Sequence, residues 1–200
     1  MAKNRENIYK LTLTAVLTAL IFVMAFTPLG YLKVGVVSIT FLVIPVVIGS
    51  IIGGPAVGAV LGLMFGATSF IQCFGMDAFG TTLFSMSPVK TAVMCFVPRM
   101  LMGFLVGLIF ELLQKSNTKN IFSYAVMSLL TPMLNTLFFV VAFILFFRGT
   151  EIFINLEQTF GTTNLFSFFV AFCGLNALLE IILNGVVGIP MCKALEKVKK

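Results

Sequence analysis

Long apolar runs alternate with short polar segments along the whole chain. The runs occupy residues 11–29, 39–52, 56–74, 89–113, 121–147 and 165–191. A helix that crosses the hydrocarbon core of a bilayer needs about 20 predominantly apolar residues, and every run except the shorter 39–52 approaches or exceeds that length. The pattern predicts an all-α integral membrane protein, in which residues 1–200 form a single compact bundle of six transmembrane helices with both termini on one side.

The polar segments between the runs differ in length. Tight connections follow the second and fourth runs, at residues 53–55 and 114–120. Longer loops at 30–38, 75–88 and 148–164 follow the first, third and fifth runs, and the last two of these loops are polar. With six spans, the three long loops all lie on the side opposite to the termini. We therefore expect the more elaborate face of the protein on that side.

Composition shows that the solvent of this chain is mostly lipid. Hydrophobic residues make up 60% of the sequence and charged residues only 10%, whereas an average globular chain is about a quarter charged. Disorder is excluded because disordered segments have low hydrophobicity. We expect a multi-pass protein of the cell membrane that is surrounded by lipid.

The positive charges are distributed unevenly between the two sides. Nine lysines and arginines lie on the side of the termini and three on the other, while Arg99 falls inside a span. Cytoplasmic loops carry the excess of Lys and Arg in membrane proteins, so both termini are predicted to be cytoplasmic. Since the basic residues lie in short tails and one loop beside apolar runs, nucleic acid is not an expected partner.

Several classes of chemistry lack the residues they require. The chain has no histidine, one aspartate and no GxxxxGK[ST] loop, and its four cysteines do not form a CxxC spacing. Histidine-dependent catalysis, clustered-aspartate metal sites and the usual nucleotide-hydrolysis motif are therefore excluded. An enzyme is not expected, and neither a catalytic residue, a metal site nor a cofactor is predicted.

A few polar side chains fall at membrane depth, where ionisable groups are costly and are functional candidates by default. They are Arg99 in the fourth run, Asn135 in the fifth, and Asn176 and Glu180 in the sixth. Arg99 is either paired with Glu180 as a structural ion pair or forms the positive floor of an outward-opening pocket. In the second case Asn135 and Asn176 would bind an anionic ligand beside it. For Glu180 the structural role is favoured, although a ligand contact stays open.

Residues in or beside the outer loops have donors and acceptors that could close over such a pocket. Tyr31 and Lys33 lie in the first long loop, and Gln72, Asp77 and Thr82 lie around the second. Most polar loop residues simply face water, so each is a weak candidate when taken alone.

Small residues at helical spacing predict where helices approach closely. Glycines recur at every fourth position from Gly54 to Gly66, which places them on one stripe of the third helix and favours close packing within the bundle. Ala15 and Ala19 form an AxxxA pair on the first helix. From the pattern alone, this pair is explained better by packing inside the protein than by docking of a partner.

Four segments resemble a known family. They are Ser-Ile-Thr at residues 38–40, Ile-Pro-Val-Val-Ile-Gly at 44–49, Gly-Pro-Ala-Val-Gly-Ala at 54–59 and Gly-Leu-Met-Phe-Gly-Ala-Thr-Ser at 62–69. Together with the chain length and the predicted topology, they resemble the substrate-binding (S) components of energy-coupling-factor (ECF) vitamin transporters. The likeness extends over nearly the whole chain.

The resemblance implies a function and a set of partners. In that family the AxxxA motif, here Ala15 and Ala19, docks on a shared transmembrane T subunit, and two ATPase subunits supply the energy. The S component binds a water-soluble vitamin from outside and topples in the membrane to release it inward.

The pantothenate-type S component is the most similar subfamily. An arginine and two asparagines at depth, Arg99, Asn135 and Asn176, would suit the carboxylate, hydroxyls and amide of pantothenate. Other vitamins, such as riboflavin or folate, remain alternatives, as does a stand-alone carrier or channel for a small organic anion. The absence of Trp and the scarcity of Tyr argue mildly against a stacked ring, and Arg99 argues against a cationic ligand such as thiamin.

Overall fold

The structure is a computed structural model, and it describes residues 2–28, 30–34, 37–115 and 120–161 together with residues 164 and 167. In chain order the elements are α1 (Ala2–Ala25), β1 (Tyr31–Val34), β2 (Val37–Thr40), α2 (Val43–Gly53), α3 (Pro55–Gln72), α4 (Ala78–Met86), α5 (Pro88–Lys115), α6 (Asn120–Phe147) and α7 (Glu151–Phe160).

Four of these helices, α1, α3, α5 and α6, are long and apolar enough to cross a membrane. The second apolar run forms α2, which has 11 residues and therefore a length of about 17 Å at 1.5 Å per residue. That is roughly half the thickness of the hydrocarbon core. The sixth predicted span, residues 165–191, lies outside the described residues.

A short hairpin follows α1, where the all-α prediction had placed an irregular loop. Strands β1 and β2 pair antiparallel, with Tyr31 opposite Thr40 and Val34 opposite Val37. Both strands contain β-branched or aromatic side chains, which favour extended backbone. The prediction treated residues 30–38 as a loop because Pro28 and Gly30 end the first apolar run, and it gave no weight to the β propensity of the residues that follow.

Two further helices occupy segments that the sequence pattern assigned to polar loops. In the 75–88 segment, the Asp77 side chain caps α4 by accepting a hydrogen bond from the Gly80 N–H at 2.7 Å. In the 148–164 segment, α7 starts with Glu151 in its first turn and ends at Gly161, whose φ of 61° is left-handed. Acidic first-turn residues and a C-terminal glycine are ordinary helix boundary signals, so both loops have regular structure.

Helices α3 and α5 pack antiparallel along the glycine stripe, as the spacing of the glycines predicts. A Cβ atom at Gly58 would collide with the backbone carbonyl of Gly103, and one at Gly62 would collide with the carbonyl of Arg99. The two backbones are therefore in direct contact. This contact fixes the backbone of Arg99 against α3.

Helix α1 buries one face and leaves the AxxxA pair on the other. Leu17, Ile21 and Ala25 are buried in the main core, whereas Ala15 and Ala19 are exposed. Residues two positions apart on a helix point about 200° apart, which explains the separation. Packing against the described residues therefore does not account for Ala15 and Ala19, although the pattern alone favoured packing inside the protein.

Candidate functional site

A cavity of about 470 Å³ lies at the end of the bundle that carries the hairpin, α4 and α7. It is bounded by the last turn of α1, the hairpin, the second half of α3, α4, the first half of α5, the second half of α6 and α7. Its polar lining consists of Thr27, Tyr31, Thr40, Ser69, Gln72, Asp77, Arg99, Asn135 and Thr136. Its apolar lining includes Phe65, Phe79, Leu83, Met94 and Phe139.

The Arg99 guanidinium is held in the cavity by contacts from three helices. Its Nη1 donates hydrogen bonds to the backbone carbonyls of Met94, at 3.3 Å, and Cys95, at 3.2 Å. Its central carbon lies 4.9 Å from the ring centroid of Phe65 on α3 and 5.4 Å from that of Phe139 on α6. Both distances are within the range of cation–π attraction. The guanidinium is therefore clamped between two aromatic rings.

The same guanidinium keeps unused hydrogen-bonding capacity. Its Nε is buried and has no hydrogen-bond partner. Within the described part of the chain, Glu6 and Lys10 form an ion pair, whereas no carboxylate pairs with Arg99. Glu180, the partner of Arg99 in the alternative ion-pair interpretation, lies outside the described residues. Arg99 thus brings a positive charge with a free donor to the cavity.

Asn135 on α6 brings an unused acceptor to the same cavity. Only 7% of its surface is exposed, and its Oδ1 has no hydrogen-bond partner. A buried polar atom without a partner costs about 1–3 kcal/mol. Such an atom is explained if a bound molecule supplies the missing donor.

Tyr31 reaches the cavity from the hairpin. Its hydroxyl is buried and forms no hydrogen bond of good geometry, although Ser69 and Gln72 lie close enough to affect its pKa. Burial raises the pKa of Tyr31 and outweighs the lowering by Arg99 and these two side chains. The hydroxyl therefore keeps its proton and remains available as a donor.

Gln72 and Asp77 line the cavity but already have structural hydrogen bonds. The Gln72 Nε2 donates to the carbonyl of Ala25 at 2.7 Å, which ties the end of α3 to the end of α1. The Asp77 Oδ2 is occupied by the Gly80 N–H at 2.7 Å. Both residues thus hold the rim of the cavity together.

The remaining candidates are Thr82, Lys33, Asn176 and Glu180, and the cavity lining can be judged for Thr82 alone. Thr82 is exposed on α4, and its hydroxyl donates to the carbonyl of Ala78 at 2.9 Å, so it does not line the cavity. Lys33 lies on β1 with Ser38 as its paired residue. Asn176 and Glu180 lie outside the described residues.

Sequence reasoning missed the aromatic and small polar lining of the cavity. The missed residues Phe65 and Ser69 precede the predicted candidate Gln72 by seven and three positions, so all three share one face of α3. Asn135 and Phe139 have the same relation on α6. The helical spacing places these residues on one face of each helix, but the sequence does not show which face meets the cavity.

A bundle with membrane-length helices and a mainly apolar cavity that contains a few polar groups is the architecture expected of a membrane protein that binds a small solute. Residues 9–192 match the family described as ECF transporter, substrate-specific component. The chain belongs to this family and is a substrate-specific subunit of an ECF transporter. No curated protein matches it.

Family membership sets the broad role of the chain. The family consists of transporter components and not of enzymes. It implies a small-molecule substrate and docking with T and ATPase subunits. The apolar helices agree with a multi-pass membrane location.

Proposed function

We propose that this subunit binds a water-soluble vitamin, pantothenate, in the cavity around Arg99. The main support is the Arg99 guanidinium, which lines the cavity and has a buried Nε without a hydrogen-bond partner. Arginine binds planar carboxylates through two parallel hydrogen bonds. An anionic vitamin with a carboxylate is therefore the ligand that the cavity suits best.

The remaining unpaired groups match the rest of pantothenate. The Asn135 Oδ1 is an acceptor and the Tyr31 hydroxyl a donor, and both are buried without a partner. Pantothenate offers hydroxyl and amide groups that complement them. A cavity of about 470 Å³ is also within the range of ligand pockets, about 300–1,000 Å³.

The proposal includes an orientation. The cavity is at the bundle end opposite to the N-terminus of α1, and the excess of Lys and Arg lies on the side of the termini. With both termini cytoplasmic, the cavity opens outward and takes up the vitamin from outside. Residues 165–191 supply the sixth span of a single domain, and Asn176 contributes to the site.

Delivery to the cytoplasm requires partners in this proposal. Ala15 and Ala19 are exposed on α1 and form a small-residue surface on which another helix can pack closely. We assign this surface to docking on the T subunit, with two ATPase subunits supplying energy.

Ring-bearing vitamins are the alternative ligands, and one observation favours them. Phe65, Phe79 and Phe139 line the cavity, so riboflavin or folate could stack on a ring. The guanidinium of Arg99, however, already lies over the rings of Phe65 and Phe139. This arrangement leaves less aromatic surface for a ligand.

Titration calorimetry of the purified subunit tests the ligand. Pantothenate, riboflavin, folate and thiamin are compared with pantothenol, in which a neutral hydroxymethyl group replaces the carboxylate. We expect pantothenate to bind most tightly and pantothenol much more weakly. Preferential binding of riboflavin or folate, or equal binding of pantothenol, would overturn the pantothenate proposal.

Uptake in cells tests the transport class. Pantothenate uptake should collapse when the T subunit or the ATPases are removed. Uptake that persists would instead indicate a stand-alone carrier or channel for a small organic anion.

A further inference from the structure

Pro98 interrupts the backbone hydrogen bonding of α5 one residue before Arg99. Helix α5 continues from Pro88 to Lys115 with the buried Pro98 inside it. In an α-helix the N–H of residue 98 would donate to the carbonyl of Met94, four residues earlier. Proline has no N–H, so the Met94 carbonyl lacks its helical donor.

The side chain of Arg99 uses the carbonyl that Pro98 leaves free. Its Nη1 donates to Met94 at 3.3 Å and also to the carbonyl of Cys95 at 3.2 Å. Since side chains on a helix point toward its N-terminus, the guanidinium folds back over the preceding turn. It arrives there between the rings of Phe65 and Phe139.

This arrangement determines which edge of the guanidinium is left for a ligand. Nη1 is occupied by the two carbonyls, whereas Nε is buried without a partner, and Nη2 makes no hydrogen bond within the described part of the chain. Nε and Nη2 present two parallel N–H donors, the edge that a carboxylate binds side-on.

We infer that Pro98 is a positioning residue of the binding site, which orients Arg99 for side-on binding of a carboxylate by freeing the Met94 carbonyl. The inference rests on the proposed function in one respect, namely that the ligand carries a carboxylate. It assigns Pro98 an effect on ligand charge selectivity, which a purely structural proline would not have.

Pro98→Ala tests this role because it restores a backbone N–H that competes for the Met94 carbonyl. We expect the affinity of the purified subunit for pantothenate to fall by about fivefold to tenfold, the loss of roughly one net hydrogen bond. The affinity for neutral pantothenol should change by less than about twofold, since its binding does not use the carboxylate edge. Pro132→Ala is the matched control, because Pro132 is also a buried proline inside a long helix and does not line the cavity.

A double-mutant cycle with Arg99→Ala separates positioning from general packing. If Pro98 acts through Arg99, Pro98→Ala should cause no further loss of pantothenate affinity in the Arg99→Ala protein. Thermal unfolding of each variant in detergent identifies any that fail to fold. Pro98→Gly, which also restores the N–H, replaces Pro98→Ala if that variant is unstable.

The outcomes distinguish this inference from the proposed function. Wild-type protein that binds no carboxylate vitamin would overturn both. Normal pantothenate binding by the wild type, combined with unchanged affinity in Pro98→Ala, would overturn the positioning role alone. Equal losses for pantothenate and pantothenol would also overturn it, because they indicate a structural effect on the whole cavity.

Discussion

At the scale of single residues, Arg99 shows how a charge is kept inside a membrane protein. An arginine at membrane depth costs about 2.5–3.5 kcal/mol on insertion scales. Two aromatic rings and two backbone carbonyls offset part of this cost. Its Nε nevertheless remains without a hydrogen-bond partner. Arg99 therefore keeps a donor for a ligand although its charge is stabilised.

Replacing Arg99 tests whether its geometry matters in addition to its charge. Arg99→Lys keeps the charge but loses the paired donors, so pantothenate affinity should fall by about tenfold or more, the equivalent of about 1.4 kcal/mol. Arg99→Ala should weaken binding further. Calorimetry measures both, and Arg148→Ala, which removes an exposed cation, is the control. Unchanged affinity in Arg99→Lys would contradict two-point binding.

Asn135 should show opposite effects on binding and on stability. Asn135→Leu removes a buried acceptor without a partner, so the ligand-free protein should unfold at an equal or higher temperature. Pantothenate affinity should nevertheless decrease by severalfold, because the ligand loses an acceptor.

Ser123 on the same helix provides the matched control for Asn135. Its Oγ is also buried without a partner, but it does not line the cavity. Ser123→Ala should therefore have the stability effect without the binding effect. If both variants weaken binding equally, Asn135 does not contact the ligand.

At the scale of helices, the packing of α3 on α5 positions the site. The glycine stripe allows the two backbones to touch, and the contact between Gly62 and the Arg99 carbonyl places the binding residue at a set depth. Side chains between the helices would hold them farther apart. The stripe therefore contributes to binding although its glycines have no side chains to offer.

Gly62→Ala should disturb both stability and binding. The added Cβ would collide with the carbonyl of Arg99, and overpacking of this kind typically costs about 1–3 kcal/mol. We expect a lower unfolding temperature in detergent and weaker pantothenate binding.

Gly58→Ala is the comparison for Gly62→Ala. Its Cβ would collide with the carbonyl of Gly103, one turn farther from Arg99, so it should lower stability to a similar extent with less effect on binding. Wild-type stability in Gly62→Ala would show that the helices are not in close contact there.

At the scale of the whole molecule, the ligand cavity and the exposed alanine pair lie on different parts of the structure. The cavity is lined by the last turn of α1, whereas Ala15 and Ala19 lie earlier on this helix and face away from the core. Binding and docking should therefore be separable by mutation.

Substitution of both alanines by leucine tests that separation. Ala15→Leu with Ala19→Leu should leave pantothenate affinity unchanged but abolish uptake in cells that contain the T and ATPase subunits, because the bulky side chains prevent close helix contact. Val23→Leu, at an exposed position of the same helix, should affect neither. Loss of binding in the double variant would indicate a role in packing and not in docking.

The predictability of this protein differed between its helices and its loops. Long apolar runs predicted α1, α3, α5 and α6 because the length that a bilayer demands is a local property of the sequence. The same reasoning placed irregular loops where the structure has a hairpin, α4 and α7. In the segments of α4 and α7, the helix boundary signals Asp77 and Gly161 were present, but the polarity of these segments was given more weight.

Within the candidate site, the sequence predicted which polar residues are candidates but not which of them lie next to one another. Arg99 and Asn135 stood out because polar groups are rare at membrane depth, and both line the cavity. Thr82 was indistinguishable from Asp77 by sequence, yet it points away from the cavity on α4. Which face of a helix meets a cavity depends on contacts between segments far apart in the chain.

The sequence by itself determined the solvent of this protein, its family and the rare polar groups that are candidates for binding. These follow from composition, run length and motif, which need no knowledge of the fold. The tertiary structure decided that Phe65 and Phe139 enclose the Arg99 guanidinium and that Pro98 frees a carbonyl for it. It also decided that the other described segments leave Ala15 and Ala19 exposed. Each of these depends on distances between elements, which arise only when the helices pack.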